Sequence, residues 1–490
     1  MGDNQTIQRT APQKYDPFWH LQAIGLLKLT PPPLNPAEER IPTDVWGSLE
    51  GAPSATVAII DTGVCCLHPY MKGKVPALGD ASYDGNVDLT AMPALSRPVG
   101  AAGALDGLNE KLLRDLGLYS APKATKHGDW LLEQVTQNSG KQTLDVGTPL
   151  SANQKFSAHG TSCAGLVAAS SEVSEKDPLI RPYYRGVDPD SKILSITTSF
   201  APRPEMLTLA FLLAASRKVD VILFPRGLPR EILGKDETLE PKWRGLKETI
   251  ISVSKKIPVV CAAGNESDKK LIAPARFAAS DNGIIAVAAM NYFGVRSSYS
   301  NFGAGTAVAA PSDDAEIFNR DQARLDKTDR YYSDYPYQVF IENFKLPDVD
   351  YGKASIKAID IPGAFGFSDS DDNTVAHLLT SPESFFTDFG GTSAAASIVA
   401  GVASLMQRAA KKKSRGTALD GIQIRQLIKD TAHKTKLPHF PGATDTEQKR
   451  KLDRVNGKAP DALDAYGNGL VAADRAVNQI LYGNPEGPSV

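Results

Sequence analysis

"SKILSITTSFAPRPEMLTLAFLLAASRKVDVILF", residues 191–224, decides the fold class. Its outer pieces, "SKILSIT" and "VDVILF", are apolar runs of strand length. Between them "MLTLAFLLAASRK" is long enough for a helix and apolar nearly all round, so the helix has to be buried. A strand apolar on both faces belongs in a parallel sheet covered on both sides. Outward from this unit the pattern repeats. Downstream come a charged helix around "WRGLKETIISVSKK" (243–256) and the apolar runs "IPVVCAA" (257–263) and "NGIIAVAAM" (282–290). Upstream lie "ATVAII" (55–60), which runs into "DTG", and a small-residue helix in "AHGTSCAGLVAAS" (158–170). Strands alternating with helices predict an α/β, doubly wound, mostly parallel sheet with helices on both faces, in three layers.

The chain has 490 residues, enough for two or three average domains or one large α/β enzyme. A net charge of −2 argues against general electrostatic binding to nucleic acid or to an anionic membrane surface. No apolar run approaches the ~20 residues of a membrane span. The start, "MGDNQTIQRTAPQKYDP", lacks the basic-then-apolar pattern of a secretory signal, and 4 cysteines suggest free thiols and no disulfide framework. Both features point to a cytoplasmic protein, with non-classical release left open. Gly2 and Thr6 also fit the short myristoylation pattern.

Residues 1–45 are proline-rich and read as an N-terminal extension or linker. Residues 46–485 read as one domain with insertions at about 70–157 and 312–388. The first insertion holds short helices of its own, for example around "GLNEKLLRDLGLY". The second is irregular and rich in Asp and Tyr. Beyond it come "FGGTSAAASIVAGVASLM" (389–406), a basic patch "RAAKKKSRG" (408–416), an amphipathic helix "IQIRQLIKDTAHK" (422–434) and a last helix in "YGNGLVAADRAVNQIL" (466–481). There is no internal repeat.

In a doubly wound sheet, reactive groups gather past the carboxyl ends of strands. Four polar residues stand at such places. Asp61 follows "ATVAII", where a carboxylate is costly to bury unless hydrogen-bonded. His159 opens a helix, and its unperturbed pKa of about 6.5 suits a general base. Asn265 follows "VVCAAG", where Gly264 allows close approach and the amide can donate to an oxyanion. Ser393 stands at the start of an apolar helix whose first N–H groups can hold an anion. Each has a plainer alternative. Asp61 and Asn265 are also ordinary turn formers, His159 can be a helix cap, and Thr392 or Ser393 can simply cap a buried core helix.

Together these motifs resemble the subtilisin-like serine peptidases. "VAIIDTGV" (57–64), "HGTSCAG" (159–165) and "GTSAAASIVAG" (391–401) match that family's three motifs, in its Asp, His, Ser order. "PVVCAAGNE" (258–266) matches its oxyanion asparagine segment. "GVDPDSKIL" (186–194), "SSYSNFG" (297–303), "AAPS" (309–312), "QIRQLIKDTA" (423–432) and "YGNGLVAADRAV" (466–477) match too. The resemblance runs from about residue 45 to about residue 482, broken by the two insertions. It implies a subtilisin-like α/β fold and a serine endopeptidase that acts on protein or peptide substrates. Asp61, His159 and Ser393 would form the triad and Asn265 would be the oxyanion donor. Ala394, Ser397 and Ile398 depart from the usual Met and Pro-His after the serine, and Ser162 stands where a second histidine is common. The stretch between Asp61 and His159 is far longer than usual, which predicts an insertion looping out near the site as a lid or a recognition surface.

The family's substrate-pairing Ser-Leu-Gly segment is here Pro225–Gly227. Pro225 keeps its carbonyl and lacks an N–H, as a sheet edge allows. With a facing strand near "SFAPRPE", Arg226, Gly227, Gly264 and Arg203 become candidate substrate-binding residues, with Lys269 and Lys270 close by. That predicts acidic peptides, with Arg226 near the pocket for the residue before the cut, unless Glu266 pairs with Arg226. Cys65, Cys66, Cys163 and Cys261 lie near these motifs without the paired spacing of a zinc site. In some relatives a cysteine under the histidine makes mercurials inhibitory, and Cys163 is so placed. No cofactor is required. Structural calcium has candidate loops in "SDSDDN" (368–373) and "GDASYDGNVD" (79–88). A cytoplasmic protease needs restricted specificity, or a protein inhibitor or regulator. The rival is a catalytically silent scaffold of this fold that binds peptides or partners. An esterase on another fold is disfavoured, because no Gly-x-Ser-x-Gly elbow is present.

Overall fold

The computed structural model describes residues 18–28, 41–65, 68–71, 73–75, 107–120, 125–139, 158–170, 184–198, 203–266, 268–291, 294, 296–297, 299–313, 356–361, 367, 386–433 and 465–487. Six strands form one sheet: β1 (Thr56–Asp61), β2 (Lys192–Thr197), β3 (Val221–Phe224), β4 (Val259–Ala262), β5 (Ile284–Met290) and β6 (Thr306–Pro311). Their order is β2-β1-β3-β4-β5-β6 and every pairing is parallel. The strand order reverses at β1, so a crevice opens past the carboxyl ends of β1 and β3. β7 (Ile356–Ile359) and β8 (Phe386–Phe389) form a separate antiparallel ladder inside the segment read as an irregular insertion.

Alternation along the strands splits the core into two layers. Val57, Ile59, Leu223, Val260 and Ile285 face one side, and Ala58, Ile60, Ile222, Val259 and Ile284 face the other. The helices are α1 (Trp19–Ala23), α2 (Val45–Ser48), α3 (Glu110–Asp115), α4 (Lys126–Asn138), α5 (His159–Ala168), α6 (Pro204–Ser216), α7 (Pro241–Lys256), α8 (Gly391–Lys413), α9 (Gly421–Thr431) and α10 (Ala473–Tyr482). On the first side lie α5, α8 and α10, with α8 as the central helix against β3 to β6. Its buried residues run without a break from Gly391 to Ala410. On the second side lie α6 and α7.

Two segments extend the core. Trp19, Leu21 and Ile24 are fully buried in the first layer, and the Ile24 carbonyl accepts the Ala473 N–H at 2.8 Å. Among the described residues the core thus includes Phe18 to Leu27, within the stretch read as an extension. In the first insertion, Leu113, Leu131 and Val135 on α3 and α4 join the second layer, where α4 packs against α6 and α7. The described part of that insertion is therefore core cover for the sheet. Pro225 sits just past β3, which is flanked by β1 and β4, so its missing N–H reflects the end of a central strand and not a sheet edge.

The lysines of the basic patch are internal ties. Lys411 Nζ bonds Asp220 at 2.7 Å, Lys412 bonds the Ser48 and Glu50 carbonyls, and Lys413 bonds the Ile480 carbonyl. Their positive charge also suits the carboxyl end of α8. Among the described residues no helix is long and apolar enough to cross a membrane.

Candidate active site

Asp61 is the last residue of β1 and is fully buried. Its carboxylate accepts the Thr62 N–H at 2.6 Å and faces His159 Nδ1 at 2.9 and 3.0 Å. His159 opens α5, which approaches the exit loop of β1 so closely that a Cβ on Gly160 would lie 2.3 Å from the Gly63 carbonyl oxygen. Thr62 Oγ1 accepts the Gly160 N–H and Thr161 Oγ1 accepts the Cys65 N–H, which stitches helix to loop. Burial raises the Asp61 pKa, but His159, Arg226 and the Thr62 N–H outweigh it and hold the carboxyl below its usual range. Burial also opposes the His159 imidazolium. The Asp61 carboxylate and the Cys163 sulfur, 3.9 Å from Nδ1, nevertheless carry its pKa well above the usual imidazole value.

Ser393 is the third residue of α8 and is 8% exposed. The first N–H groups of a helix have no partner inside it. No side chain of α8's own N-cap supplies one here. Instead the Gly391 N–H donates to the Tyr299 hydroxyl at 3.0 Å, and the Thr392 N–H donates to Asn265 Oδ1 at 2.9 Å. The Ala394 N–H reaches the Gly390 carbonyl. Among the described residues, the Ser393 N–H has no acceptor.

Asn265 stands in the loop after β4. Its Oδ1 also accepts the Thr392 hydroxyl at 2.8 Å, so the oxygen side of the amide is fixed and Nδ2 keeps its two N–H donors. Gly264, beside it, has φ +114, and a Cβ there would lie 2.4 Å from Asn301 Nδ2. Only glycine fits that position. Its contribution to the site is therefore backbone geometry and close packing.

The sequence candidates do not all converge. Asp61 and His159 are hydrogen-bonded, and Asn265 is joined to Thr392 beside Ser393. His159 and Ser393 share no hydrogen bond, because Ser393 Oγ donates to the Pro225 carbonyl at 2.9 Å. Arg226 Nη1 donates to Thr198 Oγ1 at 2.9 Å, and the Thr198 N–H bonds the Asp61 carbonyl. Arg226 is thus linked to Asp61 through Thr198, and its charge acts on the Asp61 carboxyl. Glu266 is held by Asn301 Nδ2 at 2.7 Å. Arg203, Gly227, Lys269 and Lys270 are exposed. Ser162 Oγ donates to the Ile359 carbonyl, tying α5 to β7.

Cys65, Cys163 and Cys261 are buried and outside any disulfide; Cys66 and both acidic loops proposed for calcium lie outside the described residues. Ligand atoms of Asp61, His159 and Cys163 lie within 4.8 Å of one another, although the first two already bind each other. Tyr299, Asn301, Thr198 and Phe389 were not among the sequence candidates. Phe389 packs its ring 5.5 Å from that of His159. The "GTS" and "SSYSNFG" matches contain Thr392, Tyr299 and Asn301 and were the available signal.

No curated protein matches the chain. Among solved structures, the epidermin leader peptide processing serine protease from Staphylococcus aureus is 17% identical, covers 96% of this chain and 83% of its own, and has a TM-score of 0.48. A lanthipeptide protease is 16% identical, with 94% of this chain and 95% of its own covered and a TM-score of 0.50. The nisin leader peptidase from Lactococcus lactis is 16% identical, with 87% and 92% covered and a TM-score of 0.47. The subtilase family profile (peptidase S8) matches residues 53–469, from the strand that carries Asp61 to the turn before α10. The chain belongs to the subtilase family of serine peptidases.

Proposed function

We propose that the chain hydrolyses peptide bonds internally with Ser393 as nucleophile, His159 as general base and then acid, and Asp61 as the group that orients and charges the histidine. In this mechanism Ser393 Oγ first turns from the Pro225 carbonyl toward His159 Nε2. It attacks the peptide carbonyl while His159 takes its proton. The Ser393 N–H and Asn265 Nδ2 receive the oxyanion. His159, its Nδ1–H held by Asp61, then protonates the leaving amine, and water repeats the sequence on the acyl-enzyme.

The observation that carries the proposal is the start of α8. Of three successive N–H groups there, two are taken by Tyr299 and Asn265, and the third, on the candidate nucleophile, is unclaimed among the described residues beside an amide with free donors. Such preorganised donors stabilise developing charge without reorganisation. Turnover of a peptide library tests it. Cleavage by the parent and none by Ser393→Ala is the expected result, and equal cleavage by both removes Ser393 from the chemistry.

The substrate-side expectations stand with this proposal. Arg203, Lys269 and Lys270 are exposed cations, which supports a preference for acidic peptides. Arg226, through its bond to Thr198, is better placed to support Asp61 than to fill a substrate pocket. The same library reads the preference out, and no enrichment of Asp or Glu around the cut ends it. One observation favours a second proposal, a silent peptide-binding scaffold: the Ser393 hydroxyl rests on the Pro225 carbonyl. That proposal requires library peptides to bind the parent and remain intact.

A further inference from the structure

The segment Tyr299–Asn301 touches both loops that bring the oxyanion donors together. Tyr299 serves the helix side. Its hydroxyl accepts the Gly391 N–H at 3.0 Å from a position 92 residues away, donates to Asp313 Oδ1 at 3.1 Å and lies 2.8 Å from Ser312 Oγ. Ser312 Oγ in turn donates to the Gly391 carbonyl at 2.8 Å. Both polar groups of the Gly391 backbone are therefore held from outside the helix, two residues before Ser393. The Tyr299 ring is fully buried, so the hydroxyl has little freedom.

Asn301 serves the other side. Its Oδ1 accepts the N–H groups of Glu266 and Asp268, both at 2.9 Å. Its Nδ2 donates to Glu266 Oε2 at 2.7 Å and to the Lys270 carbonyl at 3.2 Å. Its backbone N–H bonds the Gly264 carbonyl at 2.9 Å. Asn301 is buried and spends its amide on the loop that displays Asn265. Among the described residues, the two loops are hydrogen-bonded to each other through Asn265 Oδ1 and Thr392, and through the Gly264 N–H on Thr392 Oγ1 at 3.2 Å. Those contacts set the position of Asn265 Nδ2 relative to the Ser393 N–H only if each loop is itself fixed.

We infer that Tyr299 and Asn301 are positioning residues for the oxyanion pocket: one short segment holds the helix start through Gly391 and the Asn265 loop through its backbone amides, and so fixes the distance between the two donors. The inference rests on the proposed roles of Ser393 and Asn265. Neither Tyr299 nor Asn301 reaches the reacting atoms. Each acts through a neighbour, and an ångström of misplacement at reacting groups costs roughly 10²-fold in rate.

The test compares the parent with Tyr299→Phe, which removes only the hydroxyl, and Asn301→Ser. A fluorophosphonate probe first counts assembled sites. Then kcat and KM are measured on one fluorogenic peptide, with Ki for the aldehyde of the same sequence, which becomes a tetrahedral oxyanion in the site, and Ki for the matching non-cleavable reduced peptide. The expected result is a fall in kcat of about tenfold or more with KM within about twofold. Ki for the aldehyde should rise by the same factor, and Ki for the reduced peptide should not move. A purely structural role would lower the labelled fraction or shift both inhibitors together, and that result overturns the inference. So does an unchanged kcat in folded variants. A folded parent that does not label refutes the proposed roles of Ser393 and Asn265, and the inference falls with them.

Discussion

Thr392→Val is the sharpest perturbation of the site that leaves its shape intact. The Thr392 hydroxyl makes two contacts, donating to Asn265 Oδ1 at 2.8 Å and accepting the Gly264 N–H at 3.2 Å. Thr392 is fully buried, so valine leaves the Gly264 N–H without an acceptor and without water. An orphaned buried donor costs about 1–3 kcal/mol, and stability to urea should fall by that amount. Asn265 keeps one of its two anchors, the Thr392 N–H at 2.9 Å. Complete loss of an oxyanion donor costs roughly 10²–10³ in kcat. A donor held at one point in place of two should lose less, about tenfold, equivalent to about 1.4 kcal/mol. The assay is kcat on a single fluorogenic peptide at a pH where His159 is neutral, with Thr392→Ser as the control that restores the hydroxyl. Parent-like kcat in folded Thr392→Val would refute the argument that Thr392 aims the Asn265 amide.

In the proposed mechanism the raised His159 pKa makes activity depend on pH in a defined sense, because a general base works only when neutral. The acid limb of kcat/KM should lie above the unperturbed value of about 6.5. Cys163→Ala should move it down, since the sulfur is one of the groups holding the pKa up; a limb that does not move excludes that contribution. For stability the sign runs both ways. The lowered Asp61 pKa adds stability above about pH 4 that is lost on acidification, and the raised His159 pKa adds stability below about pH 6.5 that is lost as pH rises through it. An organomercurial should inhibit the parent and spare Cys163→Ala; equal sensitivity places the reactive thiol elsewhere. Far from the site, Arg408 binds buried Asp188 at 2.7 Å and Asp190 at 2.9 Å. Arg408→Ala strands a buried carboxylate and should cost about 3–5 kcal/mol in urea unfolding; a loss under about 1 kcal/mol contradicts that.

Much of the candidate site was legible because its residues sit where local pattern changes. Asp61 ends an apolar strand, His159 and Ser393 open small-residue helices, and Asn265 follows a strand and Gly264. Each position is marked by its own neighbours. The parallel sheet was legible for the same reason, since strands apolar on both faces need cover on both sides. The supporting contacts were not legible. Tyr299 meets Gly391 across 92 positions, and Arg226 meets Thr198 across 28, so no local period announces either. Arg226 reads from sequence as a candidate substrate contact, and its bond to Thr198 had no local signal because the direction of a cation near a cleft is set by the fold. Residues 1–45 read as an extension or linker on their prolines, although "FWHLQAIGL" (18–26) resembles the start of a mature enzyme of the family, and Trp19 and Leu21 in that run are core side chains. β7 and β8 escaped notice because four-residue strands inside a polar stretch carry little alternation.

The central claim is that Ser393 is a nucleophile activated by His159 and served by its own N–H and Asn265. It is tested most directly by treating the folded protein with a fluorophosphonate and locating the adduct by peptide mass spectrometry. The account predicts one adduct, on Ser393, absent in Ser393→Ala and slowed in His159→Ala and Asn265→Ala. An adduct on another residue, or none on a folded parent, would contradict it.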